Sequence, residues 1–301
     1  MATIVYIHGS GNKIASDALR RQWDRALFGR DMGDASRMAY WAPVIHARPL
    51  PDHDEDEATR LPVSPLESAA PPEAQPPDVF AAEVMRQAET EATDGGTAGA
   101  KHLDSWLRDL VYTGDAIVDG ENAAPPVTSP FEALPLPGPL RRAAFRELVK
   151  RTFKDVYAYF FGGHGEAMRR VVRDTLTGLP GPVVVVGHSL GSILAYDVLR
   201  EPALAGLNVP LLVTVGSPLG VTEVQDLVAR PLQVPAPVAQ WRNASDFRDL
   251  VALDHTIRPE FDPQSRCTDL SVANDSWNHH GIGEYLSAVA VRQPILQIFR
   301  Q

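Results

Sequence analysis

The sequence has little that would point to a secreted, membrane-spanning or nucleic-acid-binding protein. It contains one cysteine, Cys267, so no disulfide can form within the chain. No apolar run approaches the roughly 20 residues of a membrane span. No basic segment precedes the first apolar run, so no signal peptide is visible. Acidic residues outnumber basic ones by 38 to 28, and the net charge of −10 disfavours nucleic acid and anionic membranes as partners. We therefore expect a cytoplasmic protein.

The chain also lacks a motif for a metal or a cofactor. Residues 53–57 read His-Asp-Glu-Asp-Glu, but their spacing matches no defined ligand geometry, so we interpret them as a solvated acidic loop. Cys267 has no base near it in the sequence and is a poor candidate for a nucleophile. We expect no metal and no cofactor.

The residues that are present predict an α/β protein. The chain has 301 residues, of which 44% are hydrophobic, which is ample for a sizeable core. Apolar runs typical of buried strands alternate with helical patterns, and this alternation predicts a mostly parallel sheet with helices on both faces. In such sheets, ligands bind at the carboxyl ends of the strands. Strands are predicted at 3–7, 37–46, 183–186, 211–215, 238–241 and 268–272.

Residues 49–139 interrupt this alternation. The two ends of the segment, 49–77 and 125–139, are rich in proline and predict loops. Between them, 78–91 and 101–112 have helical periodicity. We interpret 49–139 as an insertion into a single domain spanning 1–301, forming a cap over the functional edge of the sheet; a helix that binds a partner protein is the alternative. The second helix carries an apolar stripe of Leu103, Trp106, Leu107, Leu110 and Val111.

The sharpest motif follows the strand at 183–186. Residues 187–191 read Gly-His-Ser-Leu-Gly, and a helical pattern begins directly after them. This is Gly-x-Ser-x-Gly between a strand and a helix, the context in which the pattern marks a nucleophilic serine. The two glycines avoid clashes at a sharp turn, and the Ser189 hydroxyl would lie beside the positive end of a helix. A plain turn is the alternative.

A serine hydroxyl needs a histidine to accept its proton and a carboxylate to orient that histidine. In folds with this strand–turn–helix motif, the residues follow in the order serine, acid, histidine. Asp246 and Asp249 come shortly after the strand predicted at 238–241, and His279 and His280 follow the last predicted strand. The required order can therefore be satisfied with either acid and either histidine.

The chain resembles the α/β-hydrolase superfamily, on its lipase and esterase side, over most of its length except 49–139. The stretch from Asn243 to Val251 is similar to the Asn…Asp-x-Val stretch that carries the acid in many lipases, which implies Asp249, with Asp246 as the second choice. Residues 278–286 are similar to family stretches with a histidine shortly before Tyr-Leu, which implies His280, with His279 second. Residues 216–218, Gly-Ser-Pro, resemble a loop common in lipases.

The resemblance also implies an oxyanion hole, two backbone N–H groups aimed at the charge that develops on a carbonyl oxygen. One is the N–H of Leu190, directly after the nucleophile. Residues 8–10, His-Gly-Ser, resemble the family's His-Gly-x, which points to the N–H of Ser10 as the other. His8 itself is expected to be a structural histidine, and His188 to pack beside the site.

These residues together predict a serine hydrolase that cleaves a small-molecule carboxylic ester without a cofactor. The apolar stripe with Trp106, Leu107 and Leu110 suggests that the substrate carries an apolar group. The alternatives are an acyltransferase or thioesterase with the same triad, and a non-catalytic relative of the same fold that only binds.

Overall fold

The computed structural model describes residues 2–51, 75–91, 100–123, 138–276 and 278–300. The acidic stretch 53–57 and most of the two proline-rich segments lie outside the described residues.

Six parallel strands form one sheet in the order β2-β1-β3-β4-β5-β6. Every residue of β1 and β3 is buried, and in β4 only Pro210 is partly exposed, as expected for strands covered on both faces. β2 and β3, which precede and follow residues 49–139 along the chain, both pair with β1. The strands are β1 (Thr3–Ile7), β2 (Ser36–Ala39), β3 (Val183–His188), β4 (Val209–Val215), β5 (Val238–Ser245) and β6 (Cys267–Ser271).

Helices cover both faces of the sheet, which confirms the predicted α/β architecture. Side chains alternate along each strand, so Ile4 and Tyr6 of β1 belong to one hydrophobic core and Val5 and Ile7 to the other. The helices are α1 (Ser16–Phe28), α2 (Pro77–Glu91), α3 (Ala100–Ala123), α4 (Gly138–Phe160), α5 (Gly165–Leu176), α6 (Leu190–Leu199), α7 (Thr222–Gln225), α8 (Ile282–Ser287) and α9 (Val289–Phe299). Residues of α1, α8 and α9 line the first core, and residues of α2 to α6 line the second.

Several element boundaries differ from the prediction. The helix predicted at 101–112 extends over Ala100–Ala123, β3 continues to His188, and β4 begins at Val209. β2 ends at Ala39, not near residue 46, and a short 3-10 helix over Ala42–Val44 follows; it contains Pro43, which has no N–H for a strand ladder. β5 is longer than predicted and continues to Ser245. The helical segment that begins at Ile282 is divided into α8 and α9 at Ala288, whose backbone has φ −58° and ψ 129°.

The described helices of the segment 49–139 pack against the rest of the protein. α2, α3 and α4 pack on one another, and α3 also packs on α7, which follows the carboxyl end of β4. Trp106 is fully buried, and its ring centroid lies 6.1 Å from that of Phe153 in α4. Leu107 and Leu110 are buried in the same core. The apolar stripe of α3 therefore contributes to the protein's own core and is not a bare surface for a partner.

Candidate active site

Ser189 occupies a sharp turn between β3 and α6. Its backbone has φ 53° and ψ −128°, a conformation that costs a non-glycine residue about 1–3 kcal/mol. The turn is close-packed: a Cβ on residue 187 would lie 2.8 Å from the carbonyl oxygen of Gly191, and a Cβ on Gly191 would collide with the carbonyl oxygen of Ile7 in β1. Glycines at 187 and 191 therefore let the strained turn form against the neighbouring strand.

The loop after β1 lies directly against this turn. A Cβ on Gly9 would lie 2.7 Å from Cβ of Ser189 and 3.0 Å from the carbonyl oxygen of His188. Ser189 is 3% exposed, and its own N–H donates to the carbonyl oxygen of Val215 at the end of β4. The ends of β1, β3 and β4 thus meet around one serine.

Asp249 and His280 form a buried pair. Nδ1 of His280 lies 2.9 and 2.8 Å from Oδ1 and Oδ2 of the Asp249 carboxylate, although 31 residues separate the two in the chain. Asp249 is 1% exposed and His280 2%. Because Nδ1 donates to the carboxylate, Nε2 is the ring nitrogen left to accept a proton.

Gly216 connects this pair to the serine turn. It follows Val215, the residue bonded to the Ser189 N–H, and a Cβ on it would lie 2.8 Å from Cε1 of His280 and 2.7 Å from Oδ2 of Asp249. The rings of His280 and His188 are 4.5 Å apart. Among the hydrogen bonds of the described residues, none joins the Ser189 hydroxyl to His280. In unliganded enzymes this bond often forms only when substrate binds.

The two second-choice residues hold the surrounding loops and do not pair with each other. Asp246 accepts hydrogen bonds from the backbone N–H groups of Asn274 at 2.6 Å and Arg248 at 2.7 Å. Burial opposes the charged form of Asp246, but the hydrogen bonds from Arg248 and Asn274 outweigh it and lower the pKa of this carboxyl. Nδ1 of His279 lies 2.7 Å from the carbonyl oxygen of Asn274. The structure brings together Asp249 and His280, and not Asp246 and His279.

Tyr285 is a part of this site that sequence reasoning missed. Its hydroxyl donates to Oδ2 of Asp249 at 2.6 Å and accepts from the N–H of Asp246 at 3.0 Å. Burial, reinforced by the nearby charge of Asp249, raises the pKa of Tyr285, so its proton stays in the hydrogen bond. With the N–H of Val251 at 3.0 Å from Oδ1, Asp249 has three donors around it. In the sequence, Tyr285 served only to mark the segment that carries the histidine.

We expect Tyr285→Phe to lower kcat/KM for an activated ester by about tenfold, equivalent to about 1.4 kcal/mol of transition-state stabilisation, with little change in KM. The reason is that Asp249 would lose one of the donors that fix its position. Tyr6→Phe is a matched control, because the buried Tyr6 hydroxyl donates to Asp24 at 2.9 Å, away from this pair. Steady-state kinetics and thermal unfolding of both variants test the prediction. The prediction is wrong if Tyr285→Phe and Tyr6→Phe lose the same fraction of kcat/KM while their unfolding temperatures fall by the same amount.

The two candidate oxyanion donors have no competing acceptor. Leu190 is the first residue of α6, where a backbone N–H has no acceptor within the helix. In the described part of the chain, neither its N–H nor that of Ser10 has a hydrogen-bond partner. Free N–H groups at a helix N-terminus favour the binding of negative charge.

His8 and His188 are both neutral, buried and bonded to backbone. Nε2 of His8 accepts from the N–H groups of Trp41 and Ala42, both at 3.2 Å. Nε2 of His188 lies 2.9 Å from the carbonyl oxygen of His280, so it donates there and holds the backbone of that residue. Burial lowers the pKa of both rings well below the ordinary value.

The described residues offer no other chemistry of the kinds considered from the sequence. Within them, no group of three or more His, Cys, Asp or Glu could hold a metal ion. Burial raises the pKa of the Cys267 thiol to about 11, so little thiolate forms at neutral pH. No described helix is both long and apolar enough to cross a bilayer.

Comparisons with protein families, with characterised proteins and with solved structures found no match to this chain.

Proposed function

We propose that the protein is a serine hydrolase with an α/β-hydrolase fold, which cleaves carboxylic esters through an acyl-enzyme on Ser189. The observation that carries the proposal is the buried Asp249–His280 pair, with Nδ1 2.8 Å from the carboxylate, beside a serine held at φ 53° between a strand and a helix. A serine with positive φ between a strand and a helix is typical of the strained turn that carries a nucleophile. A carboxylate on Nδ1 sets the histidine tautomer that a base needs.

In the proposed reaction, the Ser189 oxygen attacks the acyl carbon while Nε2 of His280 takes the hydroxyl proton. The carbonyl π electrons move onto oxygen, and the N–H groups of Leu190 and Ser10 bind this oxyanion. The C–O bond to the alcohol then breaks, and His280 gives its proton to the departing oxygen. A water molecule attacks the acyl-enzyme by the same steps in reverse and releases the acid. Asp249 stays ionised throughout and stabilises the imidazolium.

The proposal includes a single domain over 1–301 with 49–139 as its cap. It is supported by the pairing of both β2 and β3 with β1, because an insertion between two such strands leaves one sheet intact. The packing of α3 on α7 also supports it, since α7 follows the carboxyl end of β4. The apolar substrate group stays a prediction: Trp106, Leu107 and Leu110, which suggested it, are core residues. No cofactor is needed for these steps.

Labelling with a fluorophosphonate tests the proposal most directly. The phosphorus is attacked by an activated serine, and fluoride leaves. We expect one adduct, located on Ser189 by mass spectrometry of peptides, and none in a folded Ser189→Ala variant. Ser217→Ala is a matched control, because Ser217 is also buried and follows a strand, lying two residues after β4; this variant should still be labelled. The proposal is contradicted if the folded wild-type protein forms no adduct on Ser189.

A further inference from the structure

The candidate oxyanion loop, residues 9–11, is held by buried side chains at two consecutive peptide groups. The first is the Gly9–Ser10 peptide. Its carbonyl oxygen lies 2.9 Å from Nδ1 of His8. Because Nε2 of His8 accepts two backbone N–H groups, Nδ1 carries the ring proton and donates to this oxygen.

The orientation of this peptide decides where the Ser10 N–H points. A peptide group is planar and trans, so its carbonyl and its N–H point in opposite directions. The bond from His8 to the Gly9 oxygen therefore aims the Ser10 N–H to the other side, and no described residue accepts it there.

The second peptide, Ser10–Gly11, is held at both ends. Nζ of Lys13, which is fully buried, donates to the Ser10 carbonyl oxygen at 2.5 Å. The Gly11 N–H donates to Oδ2 of Asp155 at 2.6 Å. Gly11 itself has φ 84°, a region that favours glycine. The side chains of Lys13 and Asp155 therefore fix the plane of the Ser10–Gly11 peptide, which directly follows the Ser10 N–H.

Asp155 comes from a distant part of the chain. It lies in α4, 144 residues after Gly11, and it is completely buried. Nε2 of His46 is 3.3 Å from the same oxygen, Oδ2, while Oδ1 has no hydrogen-bond partner. Burying a carboxylate is unfavourable unless its hydrogen bonds compensate. The hydrogen bond from the Gly11 N–H, at 2.6 Å, is shorter than the 3.3 Å contact with His46, and Gly11 belongs to the loop that carries the candidate oxyanion donor.

We infer that Asp155 is a positioning residue for the oxyanion hole, which acts by holding the Gly11 N–H and thereby the direction of the Ser10 N–H. The inference rests on the proposed hydrolase function. It also links the insertion to the chemistry, because α4 packs on α2 and α3 as well as presenting Asp155 to the loop. The helices of 49–139 would then support the oxyanion loop in addition to forming a cap.

A comparison of an ester with its thionoester measures the effect on the oxyanion hole itself. In the thionoester, sulfur replaces the carbonyl oxygen, and sulfur is a weak hydrogen-bond acceptor. We expect Asp155→Ala to lower kcat/KM for the ester by about 100-fold, the low end for loss of one oxyanion donor. KM and the thionoester rate should change little, so the ester-to-thionoester ratio should fall. Asp155→Asn keeps an oxygen for the Gly11 N–H and should keep most of the ratio.

Two further variants separate positioning from general loss of stability. Asp155→Leu keeps the branching of the native side chain without its oxygens and serves if the alanine variant does not fold. Asp24→Ala removes another fully buried carboxylate, which bonds to Tyr6 and Ser36, and should leave the ratio unchanged. The inference about Asp155 is wrong if the ester-to-thionoester ratio is unchanged in both Asp155→Ala and Asp155→Leu. If Ser189 is still labelled by fluorophosphonate in these variants, the proposed function is unaffected by that result. An equal fall in Asp24→Ala also overturns the inference about Asp155. Failure of the wild-type protein to be labelled overturns the proposed function, and this inference with it.

Discussion

Replacing His280 with alanine is expected to lower kcat/KM for a p-nitrophenyl ester on the order of 10⁶-fold, about 8 kcal/mol of transition-state stabilisation. Without the imidazole, the Ser189 hydroxyl keeps its proton at neutral pH and is a poor nucleophile. The residual rate over the uncatalysed reaction would come from substrate binding and the oxyanion donors. Stopped assays over long times, with Ser189→Ala as the background, can measure a loss of this size.

His279→Ala is the matched control for this variant, because the chain places two histidines side by side. His279 contacts the carbonyl oxygen of Asn274 and not a carboxylate. Its loss should loosen the loop before α8 and lower kcat/KM less than tenfold. Fluorophosphonate labelling should follow the same order, nearly absent in His280→Ala and clear in His279→Ala. The opposite order would make His279 the base and contradict the assignment.

The serine turn could be predicted from sequence because all of its determinants are local. A buried strand, two glycines and a helical pattern lie within about fifteen consecutive residues, and each acts on its neighbours. The choice between His279 and His280 is different, since both follow the same strand. It is decided by the positive φ of His279, 55°, and by a contact of His280 across 31 residues. Neither property has a signal in a single sequence.

The end of β5 shows why strand boundaries were harder to predict. The strand continues through Asn243 and Ser245, whose polarity ends the apolar run that marks a buried strand. Asn243 is nevertheless buried, because its side chain accepts from Thr214 of β4 and donates to Asp269 of β6. Partners on both neighbouring strands offset the desolvation of this polar side chain. They become visible only once the strand order is known.

Asp155 is a further case in which the pattern hides the role. In the helical pattern of α4 it stands between Phe153 and Val156, which are both buried in the core. An acid directly after Lys154, in a helix with apolar residues at helical spacing, is interpreted from sequence as part of the solvated face. Its position against the loop after β1 depends on how α4 packs on the sheet, and no local pattern records that packing.

The second large effect is expected for Asp249→Asn, which should lower kcat/KM by about 10⁴-fold while leaving the fold intact. An amide has one oxygen and one NH₂ group. Because the Val251 N–H can only donate, the amide oxygen stays at the position of Oδ1. The NH₂ group then takes the position of Oδ2, 2.8 Å from Nδ1 of His280, and makes that nitrogen an acceptor. The ring proton then moves to Nε2, and the histidine can no longer take the Ser189 proton.

Asp246→Asn provides the comparison for the acid. Asp246 accepts backbone N–H groups from Asn274 and Arg248, and an amide oxygen can replace one carboxylate oxygen in this role. We expect its kcat/KM to fall less than tenfold, with a lower unfolding temperature because the loop after β5 is less well held. Thermal unfolding alongside the kinetics separates the two effects. A larger kinetic loss in Asp246→Asn than in Asp249→Asn would assign the acid to Asp246, and the Asp249–His280 pair would then be a structural contact that anchors the loop before α8.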